Sequence, residues 1–232
     1  MICFRITSLL LALVFIPAQT IQASDISDLL EKKGSGAKEV VTRPTIVRVA
    51  ELTRLPVSLR QAEFLIDHPR LSMTLAHFYD PALDLYKIEV GPDGIIHIDD
   101  PAGLAGDAEV VNSIPGRRVY FISGYFYILK MRFNGHMVMQ LIYSERPGEA
   151  RVSVDSTTTC YIRVNSILAG LLTKLAAFLF PKKVDERIGR FANAVRTVAI
   201  AVHNDPAGAY AKLAASGEVS PGELKEFAGM FL

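Results

Sequence analysis

The sequence predicts an α+β domain in which an antiparallel sheet is followed by one long helix. Three observations carry this. Between Arg117 and Arg163 lie three strand-length segments separated by turn signals. The last of them, ARVSVDSTTTCYIRV, alternates strictly, with Val152, Val154, Ser156, Thr158, Cys160 and Ile162 on one face. Downstream, Val184, Ile188, Phe191, Val195, Val198 and Val202 fall at spacings of 4, 3, 4, 3 and 4, an apolar stripe on one face of a helix.

Taken in order, the chain opens on MICFRITSLLLALVFIPAQTIQAS, with a basic residue, a short apolar run and then small and polar residues. This is a secretory signal layout over residues 1–23, with cleavage expected after Ala23 and an exported mature protein, periplasmic or secreted. Cleavage removes a single charged residue, Arg5, from 25 basic and 24 acidic residues, so the mature chain is balanced. A balanced chain lacks the basic excess of a nucleic-acid binder, and no nucleic-acid partner is expected. Only Cys160 survives processing, so stability must come from a core and not from a disulfide. Residues 24–43 read as a short helix and a polar linker, 44–204 as the main domain, and 205–232 as a helical tail.

TIVRVAEL reads as a first strand. In AEFLIDHPRLSMTLAHFYDP, Pro69 forces His68 out of helical geometry, so two short helices are expected. They should turn Phe64, Leu65, Leu71, Leu75 and Phe78 toward a common core. LYKIEV and IIHI flank GPDG, a hairpin turn by composition. RRVYFISGYFYILKMRF meets HMVMQLIYS at Asn134-Gly135, a strong hairpin signal, and ERPGE supplies the next turn. Asp205-Pro206 and the SPGE of 220–223 are helix starts, the second a capping box.

NSILAGLLTKLAAFLF invites a membrane reading. From Ser166 to Phe180 it has 15 residues before Pro181, about 22 Å as a helix, against about 30 Å of hydrocarbon. Lys174 in its middle would cost at least ~2.5 kcal/mol at a bilayer centre. An amphipathic helix on the protein's own surface fits better, divided by Pro181 from the long helix. Peripheral membrane contact through Lys174, Lys182 and Lys183 remains compatible with this segment.

Catalytic constellations are sparse, and neither a cofactor nor a metal is expected. His68 and His77 lack metal spacing, and the acidic group Asp93, Asp99, Asp100, Asp107 and Glu109 lacks the order of a calcium loop. The odd positions of the long strand are richer: Val119, Phe121, Ser123, Tyr125, Tyr127, Leu129, Met131 and Phe133. An Asn134-Gly135 turn sets His136, Val138, Gln140 and Ile142 beside them. An apolar face with a few polar groups is the composition of a ligand cavity, and equally of an ordinary core. Carrying the Pro147-Gly148 turn forward instead puts Met137, Met139 and Leu141 inside, and the sequence leaves the two registers open.

The succession TIVRVAEL, AEFLIDHPRLSMTL, LYKIEV with GIIHIDDPAG, RRVYFISGYF, HMVMQLIYSERP and the helix from Val184 to His203 resembles the START-like, or SRPBCC (Bet v 1-type), helix-grip superfamily. The resemblance covers about residues 44 to 204. It implies a curved antiparallel sheet wrapped around the long helix, enclosing an apolar cavity for a hydrophobic small molecule or lipid, and more often binding than catalysis. On that reading Phe121, Tyr125, Tyr127, Leu129, Met131, Val138, Phe191, Val195 and Val198 line the cavity, with His136 and Gln140 as polar anchors. Leu168 and Leu172 would cover it from the extra helix. The alternatives are a cyclase- or hydrolase-type enzyme pairing His136 with a tyrosine, and a filled-core envelope module docking through 166–180.

Overall fold

The computed structural model describes residues 30, 35–80, 83, 86–101, 103–128, 131–146, 152–165 and 175–232, with the side chains at 53, 128, 131, 175–181 and 183 left aside. The signal segment, Leu129, Leu168, Leu172 and most of the 166–180 segment therefore lie outside the described residues. Elements run α1 (Ser35–Thr42), β1 (Ile46–Leu55), α2 (Leu59–Asp67), α3 (Pro69–Tyr79), β2 (Lys87–Val90), β3 (Ile96–Asp100) and β4 (Leu104–Ile114). There follow β5 (Arg117–Ile128), β6 (Met131–Glu145), β7 (Val154–Val164), α4 (Leu175–Asn204), α5 (Pro206–Ser216) and α6 (Pro221–Phe231). One seven-stranded sheet, antiparallel throughout, has the order β1-β7-β6-β5-β4-β3-β2. It grips α4, which is the helix-grip arrangement expected from the sequence.

Local chemistry fixes the helix ends. The Ser58 hydroxyl accepts from the Gln61 N–H while the Gln61 side chain accepts from the Ser58 N–H, a capping box worth about 1 kcal/mol. His68 separates α2 from α3, as Pro69 demands. Phe64, Leu71 and Leu75 are buried, the two leucines completely, each burial stabilising by about 2 kcal/mol. Phe78 turns outward instead, beside the Lys212 ammonium. Asp205 and the Ser220–Glu223 box cap α5 and α6 as expected.

Two expectations are corrected. Ile128 pairs with Met131, so β5 returns into β6 across residues 129–130, and Asn134-Gly135 lies inside β6. Gly135 is opposite Gly124, which is opposite Gly106, so three glycines cross neighbouring strands in one row. A Cβ on Gly124 would stand 2.3 Å from the Ala105 carbonyl oxygen, and one on Gly106 2.7 Å from that of Ser123. These glycines serve a close approach of backbones on the concave side of the sheet, not a turn. Second, α4 runs through Pro181 without ending. Its proline removes one backbone hydrogen bond, a loss outweighed by burial of Ala194, Val198, Ala199 and Val202 further along the same helix.

The convex face of the sheet is covered too. Leu30, Ala37, Val40 and Val41 pack on Val119 and Val138, a second core separate from the one beneath α4. Glu39 pairs with Arg163 at 2.7 Å, fastening α1 to β7. Residues 35–42, read from composition as part of a polar linker, are thus a packed helix.

Candidate functional site

Alternation along the strands decides what faces α4. Tyr120 and Ile122 of β5, Met137, Met139, Leu141 and Tyr143 of β6, and Val154, Thr158, Cys160 and Ile162 of β7 point to the concave side. The register is the one in which the methionines are inside. Between this wall and α4 lie two adjoining compartments of about 240 and 150 Å³. Met73, Ile122, Met139, Thr158, Phe191 and Ala194 belong to the walls of both. Cys160 contributes a buried thiol, its pKa pushed up to about 12 by burial, and therefore stays an inert neutral group.

The larger compartment has one charged group in an otherwise carbon-rich wall. Asp100, 2% exposed at the end of β3, accepts a 2.7 Å hydrogen bond from the Tyr86 hydroxyl and forms an ion pair with Arg187 of α4. Arg187 also donates to the Tyr86 oxygen at 3.4 Å. Burial first, then the hydrogen bond to Asp100, raises the Tyr86 pKa, so the phenol remains protonated. A charge pair inside an apolar wall gains little net stability after desolvation but fixes polar groups in one place.

Beside Tyr143, which lines the smaller compartment, stands a second polar group. Arg118 is 6% exposed and holds Asp67 with both forks, at 2.8 and 2.7 Å, while also donating to the Ile114 and Arg117 carbonyls. Glu63 lies 3.7 Å from the same guanidinium and receives the Gly116 N–H at 3.0 Å. Above this network Tyr120 and Tyr143 line the compartment. Burial pushes the Tyr120 phenol up to about 12 and raises that of Tyr143 as well.

The residues singled out in the sequence divide. Phe191 borders both compartments, and Val195 and Val198 the smaller one. Tyr125, Tyr127 and His136 border the larger one at the end of the sheet, where Tyr127 is 45% exposed. Phe121, Val138 and Gln140 belong to the convex face. There Val138 sits in the second core and Phe121 packs against it. Gln140 is 1% exposed, with neither amide atom hydrogen-bonded. The His136 ring stacks on Phe121 at 5.5 Å and its Nδ1 meets the Ser123 hydroxyl at 3.1 Å. Strand alternation groups Phe121, Tyr125, Tyr127, His136, Val138 and Gln140 on one face as the pairing of β5 and β6 has it, but Phe133, expected with them, is opposite Phe126 on the other face, and alternation does not say which face is concave. Asp100, Arg187 and Tyr86 were missed as a group, because strand β3 and the middle of α4 meet only through the fold. Among the described residues no three His, Cys, Asp or Glu side chains come together as a metal site, and no helix is long and apolar enough to cross a membrane.

The fold defines a helix-grip domain with apolar compartments between its sheet and its long helix. No family model matches the chain, and no curated protein matches its sequence. Solved structures similar to it include an uncharacterized protein from Rhizobium leguminosarum, at 13% identity and a TM-score of 0.35, over 67% of this chain and 98% of that one. The di-domain ARO/CYC BexL of the BE-7585A biosynthetic pathway matches at 13% identity and a TM-score of 0.33, covering 69% of this chain and 51% of its own. Ara h 8.0201 matches at 10% identity and a TM-score of 0.30, over 67% and 98% respectively.

Proposed function

We propose that the protein binds a hydrophobic small molecule or lipid between its sheet and α4, and that it does so as an exported protein freed of residues 1–23. The observation that carries the binding reading is the paired compartments, walled by side chains such as Ile98, Ile122, Met139 and Val198 with few polar atoms among them. Such a space excludes water at little cost and rewards an apolar guest with about 25 cal/mol for each Å² buried. Mass spectrometry of the organic extract from natively purified protein should find a bound apolar compound. Ala194, 6% exposed and in the wall of both compartments, supplies the control. Ala194→Trp should fill the space and abolish uptake of an apolar fluorescent dye, with circular dichroism unchanged. Undiminished dye binding in that folded variant would count against the cavity as the site. Sequencing the N-terminus of protein recovered from a secreting host tests the export.

A further inference from the structure

We propose that the ligand carries an uncharged oxygen group, a hydroxyl or a carbonyl, which enters the smaller compartment and pairs with the Tyr120 hydroxyl. This rests on the cavity reading above and adds the chemical class of the guest: a neutral alcohol or ketone, not an ionised acid. Tyr120 is 7% exposed and lines the smaller compartment. No hydrogen bond reaches its hydroxyl from the described residues, yet the oxygen is not sealed off as the Gln140 amide is, so it is open to what fills the space. Burial keeps the phenol protonated, and it can therefore donate as well as accept. A buried hydroxyl without a partner has lost its bonds to water, and a ligand oxygen placed against it restores one.

The rest of that wall decides the charge of the guest. Among the described residues, no Asp, Glu, Lys, Arg or His lines the smaller compartment. Asp100 and Arg187 border only the larger one, and there they neutralise each other. An ionised head in the smaller compartment would give up its hydration with no counter-charge to replace it, whereas a hydroxyl or carbonyl gives up far less and regains a hydrogen bond. The remaining hydroxyls of the wall are engaged or lie elsewhere. Ser72 donates to the Leu65 carbonyl at 2.6 Å, and Tyr143 to Glu63 at 3.5 Å. Thr158, with Ser156 beside it on β7, belongs to another part of the sheet. Tyr120 is opposite Met139 and Met139 opposite Cys160, so Thr158 is two strands and two residues removed from Tyr120. Strand spacing and rise put the two backbones about 12 Å apart.

Displacement of an apolar dye from the intact protein by 1-decanol, 1-chlorodecane and decanoate tests this. Tyr120→Phe, which removes one oxygen, should weaken 1-decanol about fivefold, the worth of one net hydrogen bond, and leave 1-chlorodecane unchanged. Thr158→Val should shift 1-decanol by less than about twofold. Ionised decanoate should bind more weakly than 1-decanol by about tenfold or more. A Tyr120→Phe variant that keeps the parental affinity for 1-decanol, or loses 1-chlorodecane equally, would overturn the pairing. So would a loss produced by Thr158→Val in its place. Decanoate as tight as 1-decanol would overturn the neutral head. A measurement on the parent protein decides the matter even if Tyr120→Phe fails to fold: the infrared carbonyl stretch of bound 2-decanone should lie below its value in hexane, and an unshifted band counts against the hydrogen bond. If 1-chlorodecane displaces the dye and these differences are absent, the proposal falls and the cavity reading stands. If no probe displaces it and the native extract is empty, both fall.

Discussion

Arg118 ties three parts of the chain together through one guanidinium: α2 through Asp67, the β4–β5 turn through two carbonyls, and β6 through the ring of Tyr143. Because the guanidinium is almost fully buried, losing its carboxylate leaves a charge in a poor solvent. Asp67→Asn should therefore cost about 2 kcal/mol, below the usual range for a buried pair since Asp67 itself is 45% exposed. Urea unfolding measures it. Asp155 is a second case, with a pH signature. Hydrogen bonds from Arg146 at 2.6 Å and from the Arg54 N–H at 2.9 Å hold its carboxyl below the usual range. A depressed folded-state pKa means the stabilisation is complete above about pH 4 and is lost as pH falls through the folded value. Asp155→Asn should thus be less stable than the parent at pH 7, with the gap closing on acidification in the same titration.

The glycine row is the feature of the elements most sensitive to change. Gly124→Val would drive a side chain into the Ala105 carbonyl, which is backbone and cannot yield. We expect a loss of about 3 kcal/mol or failure to fold, whereas Gly189→Ala, inside α4 with nothing within 4 Å, should gain up to about 1 kcal/mol. Denaturant midpoints compare the two. The same row shows what was legible in the sequence and what was not. Alternation in 154–162, the break at His68-Pro69, the GPDG hairpin and the SPGE capping box are local patterns, and each has the structure its chemistry implies, whereas Val152, expected on the buried face, precedes the strand and is exposed. Asn134-Gly135 carries an equally strong local signal, but its meaning depends on two strands distant in sequence. Pro181 is similar, since whether a helix survives a proline depends on the packing that the rest of the helix makes. The candidate site followed the same rule. The α4 stripe supplied Phe191, Val195 and Val198, whereas the concave face of β5 and β6, and Asp100 with Arg187, required tertiary contact.

At the scale of the molecule, the last 28 residues are not an appendage. Leu213 and Phe227 are wholly buried in the main core, and Phe227 packs at 6.3 Å from Phe64. Polar contacts repeat the attachment: Thr74 to Glu218 at 2.9 Å, Arg70 to Glu223 at 2.8 Å and His68 to Glu226 at 3.2 Å. Truncation after Asn204 uncovers α2 and α3, and should yield a chain that keeps far-UV circular dichroism but loses near-UV signal and gains dye binding. A truncated chain with a sharp cooperative transition would show the tail to be dispensable.

The row Gly106, Gly124, Gly135 has a consequence for how the sheet finds its pairing. Strands that alternate apolar and polar residues can slip by two positions and still present the same faces, so binary pattern alone leaves several pairings nearly equal. Here such a slip would bring Phe133 or Met137 opposite Gly124, at the place where neighbouring backbones come closest. The side chain has no room there unless the sheet flattens, and a flattened sheet no longer closes around α4. Three residues without side chains therefore act as a proofreading mark, admitting the one alignment in which the cavity can exist.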